Sequence, residues 1–447
     1  MASQELATSP GNIAWMLISA ALVLLMTPAL ALFYGGMSRQ KSAINMMMMS
    51  FGAMAVAGVM FVICGWSMAY GTHSIAGIFA NPTEFFGLAH SIFDASGNPL
   101  IDAHGMPNAV NVLFQMTFAM IATAIISGSL ANRVKIHTWL IFTAVWVVLV
   151  YAPMAHMVWG GGLLGEGANS LSAWLFGTHV EGAETVANIA PIDFAGGTVI
   201  HINAGVAGLV LALIIGKSQS FMKEPDTPHN LPLVMLGAAL LWFGWFGFNG
   251  GSAMAADGSA ALACLNTCVA VCAAMLGWMV SEKIRTGYVT SLGTASGVVA
   301  GLVVITPGAG DMSPLTSMLA GVVGGVLASF SISLKYRLGF DDSLDVVGLH
   351  LVAGLWGGGI APGLFATDRG LLTGGGMDGA KLLAVQVLIA VIAAAFGAVL
   401  TAVIALLLKH TLGWRISAEE ESTGIDVTHH RERAYHALVD AAVAQRE

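Results

Sequence analysis

The stretch Leu382-Leu383-Ala384-Val385-Gln386-Val387-Leu388-Ile389-Ala390-Val391-Ile392-Ala393-Ala394-Ala395-Phe396-Gly397-Ala398-Val399-Leu400-Thr401-Ala402-Val403-Ile404-Ala405-Leu406-Leu407-Leu408 lies between Lys381 and Lys409 without one charged side chain. A helix crosses bilayer hydrocarbon with about 20 apolar residues, and this run is longer than that. The same test applied upstream finds runs at 12–34, 44–70, 109–131, 137–158, 191–216, 231–251, 257–281, 288–307, 314–335 and 344–366, which with 380–409 make eleven. In lipid every backbone N–H and C=O must bond within the fold, so spans are helices or closed barrels. Barrel strands are segments of about 10 residues with alternating polarity, whereas these runs are long and continuous. The sequence therefore predicts an all-α membrane protein of eleven transmembrane helices.

Of the 447 residues, 56% are hydrophobic and 9% charged, and the mean hydropathy is +0.79. A soluble domain carries about 25% charged residues, and a globule of this size could not clothe its surface with so few. That excludes a soluble enzyme and a secreted disulfide scaffold. A net charge of −8, with the 17 Lys and Arg scattered in pairs, offers no basic face to a nucleic acid. Cys64, Cys264, Cys268 and Cys272 sit in apolar runs without a CxxC pair. They read as small packing residues, not as a zinc site or a disulfide framework. No glycine run has the strand–loop–helix setting of a phosphate loop, so neither ATP hydrolysis nor a cofactor is expected.

Lys and Arg orient the bundle. With the amino terminus outside, Arg39, Lys41, Arg133, Lys135, Lys217, Lys223, Lys283, Arg285, Lys335 and Arg337 fall in cytoplasmic loops. Lys409, Arg415, Arg431, Arg433 and Arg446 fall in a cytoplasmic tail, and of the 17 cations only Arg369 and Lys381 lie outside. The expected topology is amino terminus out and carboxyl terminus in, for a multi-pass protein of the cell (plasma or inner) membrane. Ala29-Leu30-Ala31 mimics a signal-peptidase site. Residues 1–11 carry no cation, however, and cleavage would strand Arg39 and Lys41 outside, so an uncleaved first span is expected. Loops 71–108 and 159–190 are then extracytoplasmic. Residues 1–409 form the membrane domain and 410–447 a polar tail, in which Glu419-Glu420-Glu421 reads as a solvated face.

A charge at mid-bilayer costs at least about 2.5–3.5 kcal/mol, so ionisable residues within spans are functional candidates. Asp193 and His201 lie in the fifth run, and His350 in the tenth, within Asp345-Val346-Val347-Gly348-Leu349-His350. His137 and His156 sit at span ends, where interfacial roles suffice. Spans one to five (12–216) and six to ten (231–366) form two blocks, and an odd number of spans gives them opposite orientation. Each block closes on a span with an acid near its start and a histidine further in. At about 1.5 Å per residue, His201 stands roughly 12 Å along the axis from Asp193. His350 enters from the other side and meets it near the midplane, where inverted-repeat transporters hold their sites. Two neutral imidazoles in contact share one N–H and leave one donor and one acceptor, which suits a solute the size of ammonia or water. A metal would need further ligands, and none accompanies the pair.

Aromatic side chains gather at the outer ends of neighbouring spans: Phe114 and Phe118 in span three, Trp159 after span four, and Phe248 with Ser252 at the end of span six. Rings and a hydroxyl at one mouth make a cation–π trap worth about 2 kcal/mol when desolvated. The runs Gly35-Gly36, Gly250-Gly251 and Gly357-Gly358-Gly359 allow close helix approach and so a narrow pore.

At these residues the chain resembles the Amt/MEP/Rh family of ammonium transporters, its Amt branch in particular. The likeness runs from Phe33-Tyr34-Gly35-Gly36-Met37 to the tail and is most specific in Asp193–Gly205, Trp245–Ser252, Ala155–Gly162 and Asp345–His350. The resemblance implies transport of ammonium, ammonia and methylammonium through a narrow hydrophobic pore, with no enzymatic step. It implies an outer recruitment site at Phe118, Trp159 and Ser252, a gate of Phe118 and Phe248, and twin pore histidines His201 and His350. Asp193 would be the buried acid that supports the site or helps deprotonate the cation. The resemblance also implies a homotrimer in membrane lipids, with a P-II signalling protein docking on the cytoplasmic face. Net movement of one charge per ammonium is the expected mode; an ammonium sensor signalling through a cytoplasmic partner is the alternative. Gly413-Trp414-Arg415, Gly424-Ile425-Asp426 and Ala434-Tyr435 match a regulatory tail that in the family packs under a neighbouring subunit. Two positions depart: Ser218 follows Gly216-Lys217 where the family often has Arg, and Arg431 replaces a usual glycine. Both fall on the cytoplasmic side and bear on P-II docking, not on transport.

Overall fold

The computed structural model describes residues 8–223 and 227–435. Arg446, counted above among the cytoplasmic cations, and residues 1–7 of the amino-terminal stretch lie outside the described residues. Among those described, eleven helices are long and apolar enough to cross a membrane. Spans one to five are Pro10–Met37, Gln40–Tyr70, Asn108–Leu130, Ile136–Val158 and Gly197–Ile215. Spans six to eleven are Leu231–Gly251, Gly258–Thr286, Ser291–Gly308, Pro314–Leu338, Val347–Phe365 and Gly376–Thr411. The side chains of Ser9, Asn230, Asp257, Thr290 and Ser313 each accept an N–H from the first turn of the span that follows. They satisfy donors that every helix start leaves orphaned. An odd number of crossings puts the two termini on opposite faces, here the N-face and the C-face.

Span one packs along span six, and spans five and ten meet at their first turns. Span two packs on three and four as span seven packs on eight and nine. Equivalent spans of two inverted five-span repeats pair in this way about a pseudo-twofold axis. Span eleven stands apart from the repeats and packs on spans four, five and ten. Its 36 residues span about 54 Å at 1.5 Å each, beyond the roughly 30 Å of hydrocarbon, so it must tilt or protrude. On the N-face two short antiparallel hairpins, Ser74–Ile75 with Phe79–Ala80 and Thr178–Glu181 with Glu184–Ala187, fold the long loops.

Span five does not begin at 191. Residues 191–196 are non-helical, because Pro191 opens the segment and Gly196 closes it in a left-handed conformation at φ 110°. Asp193 therefore precedes the helix, and the roughly 12 Å of helical rise inferred between it and His201 does not exist. His156 is likewise not an interfacial residue. Its imidazole is fully buried, donating from Nδ1 to the Ala69 carbonyl at 3.0 Å and meeting Ser74 Oγ at 2.7 Å through Nε2. It pins the first hairpin to span four. In the tail, Glu419–Glu421 is not simply a solvated run: Ser417 and Glu420 form a capping box on the helix Ala418–Thr423, and Glu421 is tucked against Arg415 at 2.8 Å.

Arg431 has φ 57°, the left-handed region that glycine enters without a Cβ penalty. A glycine, which the family resemblance leads one to expect at this position, would enter that region freely. Arg431→Gly is expected to steady the seated tail by about 0.5–1 kcal/mol, the strain relief less the entropy glycine adds to the unseated state. The check is the rate of proteolytic clipping between 423 and 435 in the full-length protein. Slower clipping is expected; an unchanged or faster rate would sink the idea.

Candidate functional site

Phe118 of span three and Phe248 of span six stack face to face, their centroids 4.3 Å apart at 24°. Trp159 stands edge-on to Phe118 at 6.1 Å, held by its indole N–H donating to the Asp193 carbonyl at 2.9 Å. Ser252 lies one turn beyond Phe248 and donates its hydroxyl proton to that residue's carbonyl at 2.8 Å. With the proton committed, the oxygen keeps only lone pairs for a donor cation.

Behind the stacked rings the file continues. The Phe248 ring lies 6.0 Å from His201, and His201 lies 5.3 Å from His350, both in near-parallel array. The two Nδ1 atoms are 3.2 Å apart, so one donates and the other accepts. That leaves one Nε2 as donor and the other as acceptor. His201 is fully buried, and its Nε2 has no hydrogen-bond partner among the described residues. Trp245 lies flat against His201 at 5.4 Å and 14°, its N–H anchored on Thr306 Oγ1 at 2.8 Å. In the sequence Trp245 stands out only as the first residue of the Trp245–Ser252 stretch.

Two crossing helices can bring the imidazoles together because one pattern is written twice. Asp193, His201 and Gly205 recur at the same spacing as Asp342, His350 and Gly354. Both histidines lie in a π-helical turn, Gly197–Ile202 and Val347–Val352, a widened turn common at functional sites. The Asp193 carboxylate accepts the N–H groups of Gly196, Thr198 and Val199 at 3.1, 3.0 and 3.3 Å. Asp342 accepts those of Val346 and Val347 at 3.1 and 2.7 Å and the Ser129 hydroxyl at 2.8 Å. The second repeat's acid is thus Asp342, not the Asp345 read from sequence; Asp345 pairs with Lys335 at 2.7 Å instead. Burial pushes the Asp342 carboxyl up to about 6, against the pull of Lys335. Past each histidine the glycine lets the other helix in: a Cβ on Gly205 would stand 2.4 Å from Leu351 N, and one on Gly354 would stand 3.2 Å from Ile202 N.

The two acids differ in surroundings. Asp342 is 2% exposed, whereas Asp193 lines an N-face cavity of about 460 Å³ with Trp159, Glu166, Glu184, Asp311 and Arg369. Gln386 of span eleven clamps the Asp193 segment. It accepts from Ile192 N at 2.9 Å and donates to the carbonyls of Ile192 and Gly358 at 2.7 and 2.8 Å. Its amide, alone among the apolar residues around it, was the available signal. Among the described residues no group of three or more His, Cys, Asp or Glu could hold a metal.

Eleven spans in mirrored halves, with a polar pair enclosed where the halves meet, define a multi-pass membrane transporter. The family model of the Ammonium Transporter Family matches residues 14–435. An ammonium transporter of Mycobacterium tuberculosis is 45% identical over 464 residues, covering 97% of this chain and 91% of that protein. Among solved structures, a sensor Amt protein superposes with a TM-score of 0.80 at 25% identity, covering 94% of this chain and 98% of that one. Mep2 of Candida albicans superposes with a TM-score of 0.79 at 29% identity, covering 92% and 88%. The chain belongs to the Ammonium Transporter Family, a family of transporters and not of enzymes.

Proposed function

We propose that the chain carries ammonium from the N-face, taken as extracytoplasmic, by recruiting the cation, removing its proton and passing ammonia along the histidines. The observation that carries this reading is the unbroken file Phe118, Phe248, His201 and His350, with successive centroids 4.3, 6.0 and 5.3 Å apart. Phe118, Trp159 and Ser252 recruit the cation, the rings by cation–π attraction and the hydroxyl oxygen as acceptor. The stacked pair blocks a hydrated ion. Past the gate an intact cation would shed its hydration without adequate replacement. Ammonia needs only the donor and acceptor that the twin imidazoles offer.

Potassium is similar in size but has no proton to leave behind, and is rejected. Asp193 supports the site by fixing the first turn of the His201 helix and by placing negative charge beside Trp159. The proton follows through the hydrogen shared between the two Nδ1 atoms, giving net movement of one charge per ammonium. Residues 1–409 form the transport domain, built from repeats at 12–216 and 231–366 with a last helix at 380–409, in the plasma or inner membrane. Residues 410–447 form a cytoplasmic regulatory tail. The working unit is a homotrimer that also accepts methylammonium, with its cytoplasmic face open to a P-II protein.

In proteoliposomes the wild type is expected to give a current on an ammonium jump and none with potassium. His201→Ala is expected to admit potassium, lowering ammonium-over-potassium selectivity at least about tenfold, or 1.4 kcal/mol. Unchanged selectivity would remove the histidine from the filter. A second reading, an ammonium sensor acting through a cytoplasmic partner, has in its favour the near end-to-end likeness to a sensor Amt protein. It predicts ammonium binding without flux in the same liposomes.

A further inference from the structure

Arg369 stands where a cation is least expected. Of the 17 Lys and Arg, the sequence places only Arg369 and Lys381 on the outer side. Lys381 is matched by Asp378, three residues earlier, at 2.7 Å. Arg369 lies in the N-face loop between spans ten and eleven and lines the cavity of about 460 Å³ that Trp159 and Asp193 also line. A fixed guanidinium there repels the charge that Trp159 is read as recruiting.

The placement of Arg369 is specific. Thr367 N donates to the Asp311 carbonyl at 2.8 Å and Ala366 bridges Met312, so the loop of Arg369 is laid along the loop of Asp311. Nη2 donates to the Ala190 carbonyl at 2.6 Å, and Nη1 comes to 3.8 Å from Asp311 Oδ1. The longer distance is an ionic contact and not a hydrogen bond. Burial pushes the Asp311 carboxyl up, Arg369 pulls it back, and Glu166 pushes it up again. Glu166 is tied to the second hairpin, its carbonyl accepting Ala187 N at 2.8 Å, and Glu184 lies on that hairpin. The carboxylates of Glu166, Glu184, Asp193 and Asp311 thus share one cavity with one guanidinium. Among the described residues no three acids converge closely enough to hold a metal ion. The cavity therefore acts on a cation through its summed field and not through a ligand set.

We propose that Arg369 is a specificity-determining residue, whose charge keeps the outer cavity selective for monovalent over divalent cations. The inference rests on the reading of Trp159 and its neighbours as the recruitment site. A potential acts twice as strongly on a divalent ion as on a monovalent one, so any factor gained by ammonium is squared for calcium. Four unopposed carboxylates would favour calcium and leave the mouth occupied by an ion with no proton to give up. Arg369 cancels one of those charges and shifts the balance toward ammonium. The side chains of Arg369 and Asp311 are 46% and 29% exposed, so solvent screens the field and the effect is a few-fold.

The test uses the full chain in proteoliposomes at low salt, with the ammonium-evoked current titrated by ammonium and then by calcium as competitor. Arg369→Gln is expected to lower the half-saturating ammonium concentration about threefold and the inhibiting calcium concentration about tenfold, close to the square of the first factor. Arg369→Lys keeps the charge and should restore both values. Asp311→Asn should shift both the other way, and the charge-conserving double variant should return them toward wild type. At about 1 M salt, where the Debye length is about 3 Å, the differences should vanish. No shift in Arg369→Gln, or equal factors for ammonium and calcium, would overturn the proposal. So would a shift in Arg369→Lys as large as in Arg369→Gln, or differences that survive high salt, since Arg369 would then act by holding the Ala190 carbonyl. Should Arg369→Gln fail to reach the membrane, Asp311→Asn decides by the same squared relation in the opposite direction. A wild type without current would instead defeat the transport reading itself, which keeps the two failures apart.

Discussion

Replacing Gly205 with alanine is expected to cut ammonium flux at least about 100-fold, whereas Gly354→Ala should cost less than about fivefold. The two glycines hold mirrored places, so sequence alone would score the changes alike. The structure separates them. A Cβ at 205 would stand 2.4 Å from Leu351 N and 2.7 Å from its Cα, backbone atoms that cannot rotate away. Normal contact then requires spans five and ten to part by about 1 Å. The His201 and His350 Nδ1 atoms, now 3.2 Å apart, would pass beyond the roughly 3.5 Å at which such a bond still counts. At 354 the nearest atom is 3.2 Å away, and a few tenths of an ångström suffice. Gly258→Ala, with nothing within 4 Å of its added carbon, serves as the neutral control. Flux per reconstituted protein decides the matter. Equal losses at 205 and 354, or none at either, would mean that the crossing distance does not govern the pore.

The spans were legible because lipid imposes a length and a composition that few other demands imitate, and every apolar run found in the sequence became a helix. The histidine pair was legible because, of the 13 histidines, these two lie well inside apolar spans. What failed was local. Hydropathy alone puts Asp193 inside a helix, because it does not register that Pro191 and Gly196 end the regular backbone. Proximity in sequence favours Asp345 over Asp342 as the partner of His350, while capping depends on which carboxylate the reversing chain returns to the helix start. Superposing the two repeats on their histidines would have found Asp342, since the acid–histidine–glycine spacing is identical. Arg133 reads in the sequence only as a positive charge on the inner side, yet it is fully buried with five oxygens accepting from its guanidinium. Nothing local to the turn separates a cation that faces solvent from one enclosed by five oxygens. Gln386 is intermediate: a lone amide in an apolar span announces a polar partner but not which loop supplies it.

Asp193→Ala is expected to lower flux at least about 100-fold, and Asp342→Ala to do the same from the opposite face. Each carboxylate satisfies N–H groups at the start of a helix enclosed by the bundle, and leaving a buried donor unpaired costs about 1–3 kcal/mol. Three such donors depend on Asp193 and two on Asp342. In both cases the turn that loses its cap carries one of the paired histidines, so the fault reaches the file directly. The variants should differ in stability. Water in the 460 Å³ cavity beside Asp193 can satisfy some of the released donors, while Asp342, 2% exposed, stands away from that cavity. Asp342→Ala should therefore lower the thermal midpoint further, even though flux falls alike. Asparagine at 193 keeps one oxygen for Thr198 and Val199 but turns its amide hydrogens toward the Gly196 N–H and removes the charge that suits a helix start. Its flux should lie nearer alanine than wild type. The pair of alanine variants divides the two roles open to Asp193. If both are silent, the acids act as caps, and the symmetry of the repeats explains why there are two. If Asp342→Ala conducts normally and Asp193→Ala does not, capping is not what transport needs, and Asp193 must act on the cation itself, as an acid beside Trp159 on the N-face cavity can.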